Sequence, residues 1–134
     1  MPKVKSKTGT DLISAGATTN GDGVLNVSSK TGTDLIYAGP GNTDGDGLLV
    51  VMSKTGTNLI SAGASDAGNG LLLVKSKTGT GVIYAGSDRS RNGLLSVNSK
   101  TGESVVQLSV DDYGNGEVDA YNRKGEGRTL EPGP

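Results

Sequence analysis

The chain has 134 residues, with 23 Gly, four Tyr as its only aromatics, no Cys, no His and a formal charge of −1. That composition excludes a disulfide framework, thiolate or imidazole metal sites, and any catalytic arrangement built on Cys or His. Lys and Arg are scattered along the chain, so it carries no basic footprint for nucleic acid or an anionic membrane surface.

Only 32% of residues are apolar, too few for one deep, bulky core. No apolar run approaches the ~18 residues of a membrane span, and the first five residues lack the apolar stretch of a signal peptide. The glycines follow no three-residue period, which excludes collagen, and the apolar residues cluster at regular places, which argues against disorder.

Ser-Lys-Thr-Gly begins at Ser6, Ser29, Ser53, Ser76 and Ser99, and a degraded copy, Asn-Arg-Lys-Gly, begins at Asn122. The spacings are 23, 24, 23, 23 and 23 residues. A period held that tightly marks a stacked or closed array. Residues 4–6 match the end of a repeat's first strand. A second strand then runs over 10–16, with copies starting at Thr33, Thr57, Thr80 and Glu103. Its fourth and sixth positions, such as Ile13 with Ala15 and Ile83 with Ala85, share one face. Its third position (Leu12, Leu35, Leu59, Val82, Val105) is apolar as well and points the other way.

The first strand of the next repeat covers 23–29, with copies at 47–53, 70–76, 93–99 and 116–122. Leu25 with Val27, Leu49 with Val51, Leu72 with Val74, Leu95 with Val97 and Val118 with Ala120 form a same-face pair in each copy. Helical spacing is never sustained, so the prediction is β throughout.

Lys-Thr-Gly between two strands fits a type I turn followed by a Gly bulge, with Gly9, Gly32, Gly56, Gly79 and Gly102 at the position needing positive φ. The longer link between repeats ends in Asn-Gly or Asp-Gly, a second turn signal. The 24-residue spacing comes from an extra residue in the link at 40–46, which marks the links as exposed.

Residues 48–51 and 71–74 are apolar on both faces, whereas Asn26 and Asp119 interrupt the run near the ends. Strands apolar on both sides are strands covered on both sides. A neighbouring turn of the chain or another subunit is expected to supply the cover. A lone repeat, with about six aliphatic side chains worth ~1.5–3 kcal/mol each when buried, cannot offset the ordering of its own backbone. Contacts between repeats or chains therefore decide folding.

In these features the chain resembles the shafts of trimeric repetitive β-fibre proteins, the triple β-spirals and β-prisms of viral and phage fibres. Shared are two short strands per repeat, Gly-containing turns, aliphatic interiors without large aromatics, and runs apolar on both faces, over residues 4 to about 124. The resemblance implies an elongated β-prism or β-solenoid, a homotrimer and a structural role. The repeat is longer than a triple β-spiral repeat, and its Lys-Thr-Gly turn differs. A competing architecture is an oligomeric β-propeller: Ser14, Tyr37, Ser61 and Tyr84 alternate at one strand position, giving a double repeat near blade size. The offset start and finish of the repeats also fit such a ring, or a segment of a longer array.

Candidate chemistry is sparse. The acidic, Gly-rich links (Asp22; Asp44 and Asp46; Asp66; Asp111 and Asp112) invite calcium, yet Asp-Gly and Asn-Gly also serve tight turns, and the fourth repeat substitutes Arg89 and Arg91 into its link. Thr8, Thr31, Thr55 and Thr78 form a hydroxyl ladder that turn hydrogen bonding explains best. Tyr37 and Tyr84 are either rim packing or sugar-stacking platforms.

The sequence thus predicts an all-β repeat array over 1–124 and a Gly- and Pro-bearing tail over 125–134. Its expected role is a non-enzymatic, self-assembling shaft or spacer, with the chain itself as partner and no catalytic, cofactor or metal residues. A ring-shaped, lectin-like module binding glycan through Tyr37, Tyr84 and the acidic links is the alternative. Nothing points to nucleic acid, membrane or compartment.

Overall fold

The computed structural model describes residues 1–41, 46–65 and 67–131. Twelve strands follow one another: β1 Lys3–Lys5, β2 Asp11–Ala17, β3 Gly23–Ser28, β4 Asp34–Pro40, β5 Gly47–Met52, β6 Asn58–Ala64, β7 Gly70–Lys75, β8 Gly81–Ser87, β9 Gly93–Asn98, β10 Ser104–Val110, β11 Gly116–Tyr121 and β12 Gly127–Leu130. Every strand pairs antiparallel with its sequence neighbours, giving one sheet in the order β1 to β12 that does not close. No helix occurs among the described residues. The all-β expectation holds, in its simplest form: a meander one layer thick.

The meander follows from the turns. At the first Lys-Thr-Gly, the Ser6 N–H donates to the Thr10 carbonyl (2.8 Å) and the Gly9 N–H to the Ser6 carbonyl (3.0 Å). Gly9 has φ 89°, and Gly32, Gly56, Gly79, Gly102 and Gly125 match it at 80–98°. This is the type I turn plus Gly bulge expected from sequence.

The links between repeats use the same device. Thr18 N–H to Asp22 O is 2.8 Å and Gly21 N–H to Thr18 O is 3.1 Å, and the same pair of bonds recurs around Gly68, Arg91 and Gly114. The positive φ therefore sits one residue before the Asn or Asp, not on the glycine after it; Gly23, Gly70, Gly93 and Gly116 begin strands. The structural unit is one strand plus one turn, half the sequence period. The inserted link at 42–45, with Asp44, lies outside the described residues, as does Asp66.

At five Lys-Thr-Gly ends the register slips by one. Val4 faces Ile13 while Lys5 faces Asp11, so Leu12 has no partner. Leu35, Leu59, Val82 and Val105 are skipped in the same way. These are the strand positions read as pointing to the opposite face, and in the fold they are bulge residues. A bulge bends its strand and increases local twist, so one long border of the sheet carries a row of bends.

The segment expected to be a tail supplies β12, where Val118 faces Leu130 and Tyr121 faces Gly127. Residues 132–134, Pro132 included, lie outside the described residues. With no second layer there is little interior. Among the described apolar residues only Val50, at 3% exposure, is fully buried.

Candidate interaction surface

The antiparallel register sorts the side chains into two faces. On face A, Ile13 faces Val27, which faces Ile36, which faces Val51, and the row continues through Ile60, Val74, Ile83 and Val97. Alongside it runs a second row of Ala15, Leu25, Ala38, Leu49, Ala62, Leu72, Ala85 and Leu95. The same-face pairs predicted from spacing thus line up, strand after strand, into a continuous apolar stripe two residues wide. It is open: Leu25, Leu49, Ile60, Leu72 and Ile83 are 36–43% exposed.

Face B is mixed. Its middle row passes from Ser14 and Asn26 through Tyr37, Val50, Ser61, Leu73 and Tyr84 to Ser96, Gln107 and Asp119. Of its polar members Ser96 and Asp119 are buried, and both are paired. Ser96 Oγ donates to Asn98 Oδ1 at 2.8 Å, and Thr129 Oγ1 donates to Asp119 Oδ1 at 2.5 Å. Asn26 Oδ1 is buried without a hydrogen-bond partner, an arrangement that costs on the order of 1–3 kcal/mol. The runs at 48–51 and 71–74 place Leu48, Val50, Leu71 and Leu73 on face B, opposite the face A stripe. No second layer of the described chain covers either face.

The surface area quantifies that openness. A compact monomer of this 13.4 kDa chain should expose about 6,500 Å². This one exposes 9097 Å².

Tyr37 and Tyr84 are committed to their own strands. The Tyr37 hydroxyl donates to the Pro40 carbonyl (2.8 Å) and that of Tyr84 to the Ser87 carbonyl (3.2 Å). Each ring lies over a glycine two residues on: a Cβ built on Gly39 would stand 2.7 Å from Tyr37 Oη, and one on Gly86 would stand 3.1 Å from Tyr84 Oη. The tyrosines thus cover bare backbone and cap a strand-end carbonyl.

The hydroxyl ladder is turn chemistry. Ser29 Oγ and Thr31 Oγ1 are 2.8 Å apart, and Ser29 Oγ accepts the Thr33 N–H at 3.1 Å. The other Ser-Lys-Thr-Gly turns repeat the hydroxyl pair. Side-chain oxygens of this kind satisfy turn amides that would otherwise need water.

Acidic links do likewise. Asp111 accepts the N–H groups of Tyr113 (2.8 Å) and Asn115 (2.7 Å) and the Asn115 side-chain amide (3.0 Å). The Asn115 bonds above all hold its carboxyl below the ordinary 3.8, since they favour the charged form. Asp88 accepts the Asn92 N–H at 2.9 Å. Among the described residues no three metal-ligating side chains converge. Two other carboxyls are shifted down: Glu103 by Ser99 and Thr101, and Asp11 by Lys3 and Lys5.

No protein-family model matches the chain, and comparison with curated proteins finds no significant match. The surface must speak for itself.

Proposed function

We propose that the chain is a non-enzymatic structural module, a rigid β shaft or spacer built by homo-oligomerisation, with copies packing sheet against sheet. The observation that carries this is the stripe on face A: a two-row apolar surface crossing a sheet that has no second layer. Domains are ordinarily two packed layers around one core. Monomers rarely expose an apolar patch beyond a few hundred Å². With strands ~4.8 Å apart the stripe is roughly 40 Å long, and the chain as a whole exposes about 2,600 Å² more than a compact monomer. A stable interface needs about 800 Å² per partner, which that surplus can supply.

Repetition serves this role because each added strand lengthens the shaft and the stripe together. The chain contains no His or Cys, and Asp111, Asp88 and the Ser-Lys-Thr-Gly hydroxyls are engaged in their turns, so no catalysis is assigned. The test is absolute mass and hydrodynamic radius by light scattering behind a sizing column. A multiple of the 13.4 kDa chain mass with an elongated radius is the expected result. A stable monomer at micromolar concentration would overturn the proposal.

A further inference from the structure

The stripe on face A is corrugated as well as apolar, and the corrugation has a direction. In the row nearer the links, Ala alternates with Leu from strand to strand, as in Ala38, Leu49, Ala62 and Leu72. The row nearer the Lys-Thr-Gly turns stays β-branched throughout, Ile36, Val51, Ile60 and Val74 in the same strands. The surface therefore rises at every second strand and falls between, with a period of ~9.6 Å, two strand spacings. Facing sheets pack ~10 Å apart with interdigitated side chains, and large positions opposite small ones are what lets layers interlock.

We infer that the occupant of face A is the same face of a second copy of this chain, displaced by one strand so that each Leu of one copy seats over an Ala of the other. This rests on the homo-oligomeric reading above and adds which surface mates and how. The pattern is self-complementary, as an interface between identical surfaces requires. In register, Leu would meet Leu and Ala would leave a gap; one strand out of register, both are filled. The free borders of the sheet do not compete. Edge β1 is three residues long, with Lys3 and Lys5 both tied to Asp11. Edge β12 is four residues, all exposed, and carries Arg128. Short, charged edges resist strand addition, so growth by pairing end to end is disfavoured and association proceeds through faces.

Two experiments on the full chain decide it. Because the chain has no cysteine, Leu72→Cys and Ser61→Cys each place a single thiol, on face A and face B respectively. A short bis-maleimide that spans the ~10 Å between facing sheets should join Leu72→Cys into a covalent dimer and should not join Ser61→Cys; a direct disulfide is not expected, because the one-strand offset holds the two thiols apart. Second, Ala38→Leu/Ala62→Leu/Ala85→Leu fills the hollows; in an isolated sheet the added groups meet open surface, so circular dichroism should stay that of the parent. Interlocking predicts self-association at least tenfold weaker by light-scattering dilution. Unchanged or tighter association of the triple variant would show a merely greasy contact and overturn the registry. A parent that is oligomeric yet cross-links through Ser61→Cys alone would overturn the choice of face while leaving the structural role standing. A monomeric parent would overturn both.

Discussion

Arg91 is the one described non-glycine residue with positive φ, 70°, and replacing it should stabilise the protein. Its turn has the same bonds as the one closed by Gly21: Arg91 N–H to Asp88 O at 3.1 Å, against Gly21 N–H to Thr18 O at 3.1 Å. An L-residue held in the left-handed region costs roughly 1–2 kcal/mol. Arg91→Gly removes that strain, while the extra freedom of glycine in the unfolded chain returns about 0.5–1 kcal/mol. The net expectation is a gain of about 0.5–1 kcal/mol, or a rise of a few degrees in melting temperature for a domain of this size. The mirror experiment is Gly21→Arg. Gly21 has φ 95° and nothing within 4 Å of a built Cβ, so the loss comes from backbone strain alone and should match or exceed the gain. Urea unfolding at one fixed protomer concentration is the assay, since the midpoint of an assembling protein moves with concentration. If Arg91→Gly is neutral or destabilising while Gly21→Arg is harmless, the two turns do not share one geometry, and the strand-plus-turn unit is wrong.

Glycines inside strands should divide by what stands over them. A Cβ at Gly63 would lie 2.6 Å from the Gly47 carbonyl oxygen and 3.2 Å from Leu48 Cα, both backbone, as well as 3.1 Å from Leu48 Cδ1, whereas one at Gly16 meets the flexible Met1 side chain. Gly63→Ala should therefore cost about 1–3 kcal/mol and Gly16→Ala well under half of that in the same unfolding assay. Val50→Ala, at the one fully buried apolar position described, should cost about 1.5–2.5 kcal/mol, near 0.8 per methylene plus a cavity contribution; a loss under 0.5 would mean that face B relaxes freely. Acid should weaken the fold. Asp11, Glu103 and Asp111 have folded values below their ordinary 3.8, 4.5 and 3.8. Their contribution is thus complete above those values and is lost as pH falls through the lowered ones. Melting temperatures between pH 6 and pH 2 should fall in that window, and the fall should be shallower in Asp11→Asn/Glu103→Gln/Asp111→Asn; an identical profile would show that these carboxyls do not matter.

Much of the fold was legible because its instructions are local. Alternation placed Leu25 with Val27 and Ile13 with Ala15 on common faces, and the Lys-Thr-Gly turns take the bulged form that positive-φ glycine implies. The links were harder to read. Their turns share the pattern of a hydroxyl or carboxylate residue, then Gly three positions on, then Asn or Asp: Thr18 with Gly21 and Asp22, Asp111 with Gly114 and Asn115. The more conspicuous Asp-Gly and Asn-Gly pairs drew attention one residue too far. The bulges were hidden because Leu12, Leu35 and their counterparts look like ordinary strand residues; only the pairing shows that the ladder passes them by. The tyrosines needed three dimensions too, since a ring laid over a glycine two positions on and a ring offered to a ligand have the same sequence. As for the surface, spacing gave the same-face pairs, but their continuity into one stripe depends on the meander order, which no single hairpin contains.

On the proposed packing, repetition creates a problem that the end of the stripe can solve. The corrugation repeats every two strands, so copies displaced by one, three or five strands satisfy Leu-over-Ala equally well along the regular part. A module built only of that part would assemble in several offsets and grow into ragged chains. The alternation stops at β10, however. There Leu108 faces Leu95 on one side and Val118 on the other, so three large residues stand in adjacent strands with no Ala between them. A copy slid far along the stripe must set some of its own Leu against this crowded end, at a cost of about 1–3 kcal/mol for each overfilled site. Offsets that keep the crowded end clear of a partner's Leu positions avoid that cost. The irregular repeats near the C-terminus then act as the mark that selects one register among many, and a shaft of defined length follows from breaking the repeat at one end.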